Sequence, residues 1–479
     1  MKIAEHGNPA RRSWFDRQGL KLVAKPYLSG AFATQRLLER LTVKKMSLNE
    51  LTDGYGGGIF DGPQSRRVYL TALEHSVPFV GSKDMMVADL SSLPRLSKAD
   101  AESPALRYME LEPGMTMISR SGFNAGRRAY VRPDMAGFWS SEHVMKVVPD
   151  RSRIQPGYLY AFLASRFGEV LIRGGVYGSA VKHIAPEHVG AIPVPRFDGV
   201  VEKEIHELME EAAALRAAFQ SGVTEATRDL FDRAGLGDLL ELRWHEKGRD
   251  LGFAQTGLDA TTLRALNFQP RAREILRRLE EVEHVTLGEI CAGGKLKTGA
   301  RFKRVDADPA HGVRLVGQRQ AFWVRPEGRW ISLDEAPDDV MQQEETVLVA
   351  AHGTLGDNEV YGRSILVTGS WSAHAFSQDF LRVVSGYSDV PGAYLFAFLR
   401  SEPMFRVLRS MSVGGKQQEY HTKLIRELPV PLLADADRNR IVGIVRESYR
   451  RRDEADRKED QALARLEEAV AQHAGVTSG

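Results

Sequence analysis

The chain has 479 residues, 43% of them hydrophobic and 27% charged, an ordinary globular composition long enough for two to four domains. Its single cysteine, Cys291, excludes an internal disulfide and a cysteine-built zinc cluster, and its net charge of +2 means that any basic, nucleic-acid-facing surface has to be local. The opening MKIAEHGNPARRSW has no apolar leader and no apolar run is long enough for a bilayer, so a cytoplasmic protein without membrane contact is expected.

Residues 1–41 read as an N-terminal extension. The span 42–197 reads as a first α+β domain. Within it, TMISRSG (116–122) and VMKVV (144–148) are apolar and partly β-branched, which predicts short strands. PGYLYAFLASRFGEVLI (156–172) predicts an amphipathic helix starting after Pro-Gly. The domain closes on GAIPVP (190–195). Two prolines one residue apart make a stiff, extended exit that neither a central strand nor a helix interior accepts.

A spacer helix is expected over 198–235. Ile205, Leu208, Ala212, Leu215, Phe219, Val223, Ala226 and Leu230 step by three and four, close to a heptad seam, with Gly222 a candidate kink. The seam covers about 26 residues, roughly 39 Å.

Residues 236–284 read as a connecting element. After it, 285–433 repeats the first domain. YLFAFLRS (394–401) matches YLYAFLAS (158–165), FSQDFLRVV (376–384) matches SSEHVMKVV (140–148), and RELPVP (426–431) matches GAIPVP, all at an offset of 236. ETVLVAAHG (345–353) resembles MTMISRSG (115–122), VRLVGQRQA (313–321) resembles VPFVGSKDM (77–85), and ILRRL…LGEI (275–290) resembles LLERL…LNEL (37–51). A period this long indicates two copies of a whole domain and not a solenoid. In the copy, TVLVAAHG and FLRVV predict strands and PGAYLFAFLRSEPMFRVL (391–408) a helix. A second spacer helix, 434–475, carries Val442, Val445, Tyr449, Leu463, Leu466 and Val470 on one face, interrupted by Arg452, Asp456 and Glu459. The expected fold is α+β, two similar domains separated by an antiparallel pair of long coiled-coil-like helices. Ile205, Leu208, Leu215, Phe219, Val442, Val445, Leu463 and Leu466 are the expected contact residues of that pair.

HIAPEHVGAIPVP (183–195) and EYHTKLIRELPVP (419–431), each followed by a long helix, together with VPFVGSKDM, ISRSGFNAG and SSEHVMKVVP, make the chain resemble a specificity subunit of a type I restriction-modification system. The likeness spans roughly 40–475. HGTLG (352–356) keeps the family's middle motif, while SGFNAG (121–126) is one residue longer and has Phe123 where the family has threonine. The resemblance implies two target-recognition domains, each reading half of a bipartite double-stranded DNA site. It implies helices that fix the gap and dock adenine-N6 methyltransferase subunits, with a restriction or translocase subunit as a further partner. It implies no catalysis in this chain, no metal and no cofactor of its own, with S-adenosylmethionine and ATP held by the partners only.

The residues offer matching chemistry. SRSGFNAGRRAYVR (119–132) and GGKLKTGARFKR (293–304) contain no acid. Arginine grips guanine bidentately, asparagine and glutamine grip adenine, and glycines admit a close backbone approach. The DNA-facing candidates are therefore Gln64, Arg66, Arg67, Lys83, Arg120, Asn124, Arg127, Arg128, Lys182 and His183 in the first half. In the second they are Lys295, Lys297, Arg301, Lys303, Arg304, Gln318, Arg319, Gln320, Lys416, Gln417 and Gln418. No adenine-methyltransferase, dinucleotide-loop, P-loop or HExxH pattern occurs. Ser119, Ser121 and His352 are of nucleophile or base type, with nothing in the sequence to orient them. The alternative reading is a two-domain protein scaffold that binds no DNA.

Overall fold

Apolar, β-branched runs become strands at the places the sequence predicts. The computed structural model describes residues 30–70, 72–178, 181–241, 252–254, 261–356 and 358–474. Much of the expected N-terminal extension, and residues 242–251 and 255–260 of the connecting element, lie outside the described residues. The chain divides into two units. The first is built from 30–86, 93–217 and 454–474, the second from 87–92 and 218–453.

In the first unit, Ile59–Phe60, Val144–Val147, Thr116–Ser119 and Arg128–Tyr130 form an antiparallel sheet in that order. Arg95–Ser97, Ser76–Val80, Phe138–Ser140 and Glu110–Leu111 form a second, in which Phe79–Val80 runs parallel to Trp139–Ser140. The second unit repeats the pattern. Lys295–Thr298, Phe380–Val384, Val347–Ala350 and Ser364–Leu366 form its first sheet. Gly328–Ile331, Val313–Val316 and Ala375–Phe376 form its second, where Leu315–Val316 runs parallel to Ala375–Phe376. A repeat in sequence is thus a repeat in topology, down to the one parallel pair in each unit among the described residues.

The two expected amphipathic helices are each broken in two. Pro156–Ala164 is followed by Arg166–Gly174, and Gly392–Leu399 by Glu402–Ser410. The cause is a serine at the same place. Ser165 and Ser401 adopt extended backbone (ψ 165° and 153°) and cap the next helix, accepting from Gly168 N and Met404 N at 3.3 Å. Serine competes with the helix backbone in this way, so it starts helices better than it continues them. The first piece of each pair is buried on every side, from Pro156 to Leu163 and from Gly392 to Leu399, and is therefore a core helix with no solvent face.

Each Pro-Val-Pro phrase is an edge strand. Pro193–Arg196 pairs antiparallel with Lys44–Ser47, and Pro429–Pro431 with His284–Thr286. A two-stranded ladder leaves one side of each strand unpaired, where the missing proline donors cost nothing. Tyr158 Oη donates to the Pro195 carbonyl at 2.5 Å, and Tyr394 Oη to the Pro431 carbonyl at 2.8 Å. The same tyrosine latch thus closes both copies.

The long helices are Gly199–Arg233 and Asp435–His473. Within the first unit, 199–217 runs antiparallel to 454–473. Arg465 pairs with Glu204 at 2.9 Å and Lys458 with Glu211 at 2.6 Å. Within the second unit, 218–233 runs antiparallel to 435–453, with Phe219 edge-on to Tyr449 at 5.1 Å and Arg440 on Asp229 at 2.7 Å. The expected seam needs one correction. Met209 (1% exposed) and Arg216 (6%) take the inward positions, and Leu208 and Leu215 sit half-buried beside them. From Ile205 the steps are then four, three, four, three, a regular heptad. Arg216 fills its central position because Asp456 (3.0 Å) and Glu459 face it. The charged interruption of the second helix is therefore part of the packed seam. Gly222 does not kink the helix. A Cβ there would lie 2.1 Å from Ser448 Oγ, so glycine lets the two backbones approach.

Residues 87–92, although inside the 42–197 span, belong to the second unit. Val87 bridges Trp323, Ala88 N donates to the Phe322 carbonyl at 2.9 Å, and Asp89 takes the Arg400 guanidinium at 2.6 Å.

Candidate nucleic-acid interface

In each unit the turns leaving the sheets converge on one edge. In the first, Arg120 N donates to His143 O at 2.8 Å, Gly122 N to Lys182 O at 3.0 Å, and Asn124 Nδ2 to Ser82 O at 3.4 Å. The turns 81–86, 120–127 and 141–143 and the segment 181–183 therefore hold one another. In the second unit Ala351 N donates to Asp379 O and Gln418 N to Gly353 O, both at 2.8 Å. There Gln318 spans the middle turn, accepting from Ala351 N (3.0 Å) and His352 N (3.1 Å) and donating to His352 O (2.6 Å).

The backbone framework is common and the side chains on it are not. Ser121 Oγ lies 2.8 Å from His143 Nδ1. At the matching place His352 stands 3.7 Å from Asp379 and 3.0 Å from Glu419. Position 183 is histidine where 419 is glutamate. Burial, followed by the Arg67 and Arg120 guanidiniums, pushes His143 below its ordinary value, which favours the neutral ring at neutral pH. The Ser121–His143 pair with Glu142 Oε1 at 3.4 Å has the composition of a hydrolytic relay. Ser121 is only 9% exposed, and the second copy replaces the pair by histidine and aspartate, so the contact reads as a loop lock.

The structure sorts the sequence-predicted site residues. Lys83, Arg120, Asn124, Arg127, Lys182 and His183 come together on the first edge. Gln318, Arg319, Gln320, Lys416, Gln417 and Gln418 come together on the second. Arg67 joins the first edge by its ion pair with Glu142 and stacks on Phe79 at 5.1 Å, while Gln64 and Arg66 are exposed on the same loop. Sequence-local freedom from acids does not mean free charge. Arg120 pairs with Asp61 at 2.5 Å, and Arg128 with Glu169 at 3.0 Å. Gln418 is 3% exposed and holds its own hairpin. Its Oε1 accepts from Arg264 at 2.7 Å and from Ser412 at 3.1 Å, and its Nε2 donates to Gly415 O. Lys416 and Gln417 are exposed at that hairpin's tip. Lys295 and Lys297 lie on the edge strand Lys295–Thr298, with Lys297 3.5 Å from Asp339. Arg301, Lys303 and Arg304 are exposed on the loop beyond it, and Arg304 donates to Gln378 at 2.8 Å. Arg319 is exposed and 3.5 Å from Glu359.

Sequence reasoning missed Tyr177, Val181 and the bare state of Phe123, all exposed on the first edge, and it missed His143, Asp379 and Glu419. The offset of 236 would have found the last three, since it aligns His143 with Asp379 and His183 with Glu419. Among the described residues no group of acidic, histidine or cysteine side chains could hold a metal ion, and no helix is long and apolar enough to cross a membrane.

No protein-family model and no curated protein matches the chain. Three solved structures similar to it are type I restriction-modification proteins. One is the type I restriction-modification S subunit from M. genitalium, at 12% identity over 90% of this chain and 96% of that one, with a TM-score of 0.35. Another is the HsdS subunit from Thermoanaerobacter tengcongensis, at 14% identity, 90% and 96% coverage and a TM-score of 0.27. A third comes from work on complex assembly and conformational transition of the type I R-M system, at 14% identity, 91% and 98% coverage and a TM-score of 0.26.

Proposed function

We propose that this chain is the non-catalytic DNA-recognition subunit of a type I-like restriction-modification or phage-defence complex. The observation that carries the reading is one loop edge built twice with its contacting side chains exchanged. The buried framework is kept, as in Tyr158 and Tyr394, while Ser121, His143 and His183 become His352, Asp379 and Glu419. Two readers of one architecture and unlike tips suit an asymmetric site in two halves. Lys182, Arg301, Lys303 and Lys416 supply exposed charge for phosphates.

In this reading the long helices set the gap between half-sites. Ile205 to Leu230 spans about 39 Å, near one turn of B-DNA at about 34–36 Å. Their outer faces dock adenine-N6 methyltransferase subunits, and a restriction or translocase subunit joins through them. S-adenosylmethionine and ATP belong to those partners.

The test is to map N6-methyladenine in cells carrying this chain with its neighbouring methyltransferase. A bipartite motif is expected, with one half altered when 293–304 is exchanged. Duplex binding that falls steeply with salt is expected in vitro. A chain that binds no duplex at any salt concentration is a protein scaffold instead.

A further inference from the structure

We propose that Phe123, with Val181 and Tyr177 beside it, forms an apolar reading tip that seats on thymine methyl groups in the half-site read by the first unit. The inference deepens the DNA-recognition reading and rests on it. Phe123 is 84% exposed, Val181 55% and Tyr177 46%. A single bare apolar residue needs no explanation, but three gathered at one point do. They are gathered by the backbone. Ser121 bridges His183 and Gly122 N donates to Lys182 O, so Phe123 and Val181 come next on facing segments, while Tyr177 bridges His183 from the other side.

The loop is built to present its phenylalanine. Gly122 (φ 79°) and Gly126 (φ 90°) turn it, Gly126 N donates to Ser119 O at 2.9 Å, and Arg127 N to Asn124 O at 2.9 Å. The extra residue that distinguishes SGFNAG from HGTLG lies here. The framework does not require the apolar tip, because the second copy does without it. There the hairpin tip is Gly414, Gly415, Lys416 and Gln417, all exposed, and Leu355 is half-buried. Lys182, exposed on the segment that faces Phe123, suits a polyanion. The major groove, about 12 Å wide, admits such a paired loop, and the thymine C5 methyl is the apolar group on its base edges.

The experiment uses the full chain with its methyltransferase partner and a duplex carrying the mapped motif, with thymines replaced by uracil in one half at a time. In one half, uracil is expected to weaken binding about fourfold for each methyl removed. F123A removes that sensitivity while duplex binding persists, and F123L retains it. Uracil without effect in both halves overturns the proposal, as does equal uracil sensitivity in F123A and the unsubstituted chain. Brightening of 2-aminopurine beside the contacted thymine also overturns it, since that reports a wedge that unstacks bases. Loss of all duplex binding by the unsubstituted chain would instead remove the DNA-recognition reading itself.

Discussion

Lys146 and Arg382 are the same buried cation in two copies, 236 residues apart on matching strands, 0% and 1% exposed. They are satisfied very differently. Arg382 donates to the carbonyls of Phe376 (3.2 Å), Ser377 (3.4 Å), Phe380 (3.1 Å) and Asp339 (3.2 Å). Lys146 has Ser140 Oγ at 2.9 Å, Met109 Sδ at 3.0 Å and the Phe60 ring at 5.1 Å. Burial lowers the lysine to about 7, against a small opposing pull from Asp61. The unfolded chain therefore holds a proton that the folded one lacks between about pH 7 and 10.5. Stability should rise with pH through that window by about 1.4 kcal/mol per unit. Lys146→Met should remove this slope and stabilise the protein at pH 7. Thermal unfolding of both forms from pH 7 to 9.5 checks it, and a variant no more stable at pH 7 would refute it.

Arg216 is the pivot of the helix seam in the first unit. Truncation to alanine removes the buried guanidinium that faces Asp456 and Glu459 and should cost about 3–5 kcal/mol. Replacing all three by apolar residues of similar volume should recover most of that loss, because the desolvation of the charges disappears with them. Denaturant unfolding of the single and triple variants distinguishes the two outcomes.

Asp89 gives a pH dependence of opposite origin, from an acid held ionised. Burial raises its carboxyl, but the Arg400 guanidinium and the Ser91 hydrogen bonds outweigh burial and hold it far below the ordinary carboxylate range. The folded state therefore gains from ionised Asp89 above about pH 4 and loses that gain in acid. Asp89→Asn should cost about 1.5–3 kcal/mol at neutral pH. Melting curves of the two proteins should converge as the pH falls below 4.

The second hairpin separates a buried brace from an exposed tip. Gln418→Ala should lower thermal stability, since Arg264 and Ser412 lose their acceptor. Lys416→Ala with Gln417→Ala should leave melting unchanged and weaken duplex binding. Arg301→Ala with Lys303→Ala should weaken binding equally for all sequences and flatten the salt dependence by about one unit of slope for each phosphate that is no longer neutralised. Fluorescence titrations at several salt concentrations read both effects.

The duplication was legible because buried words resist change. The YLYAFLAS and YLFAFLRS helices are buried throughout, and the strands around Lys146 and Arg382 pair on both sides. The break at Ser165 and Ser401 was not read, because a serine inside an apolar run looks like a tolerated helix residue until its ψ is known. The seam was off by one step at Arg216, since hydropathy assigns arginine outward and only the acids of a distant helix turn it in. Residue type named the candidates, and it could not say how each side chain is held. Gln418, a base-reader candidate by residue type, braces its own hairpin, and Arg128 is held by Glu169 and the Ala164 carbonyl.

Each of the two repeated domains is entered and left by the same doorway. Lys44–Ser47 lies against Pro193–Arg196, and His284–Thr286 against Pro429–Pro431, so the first and last strands of a lobe end side by side. Chain cut on both sides of that zipper can be replaced without lengthening or shortening either strut. Recombination at the two short tracts that form the zipper would thus exchange a whole domain while both long helices kept their length.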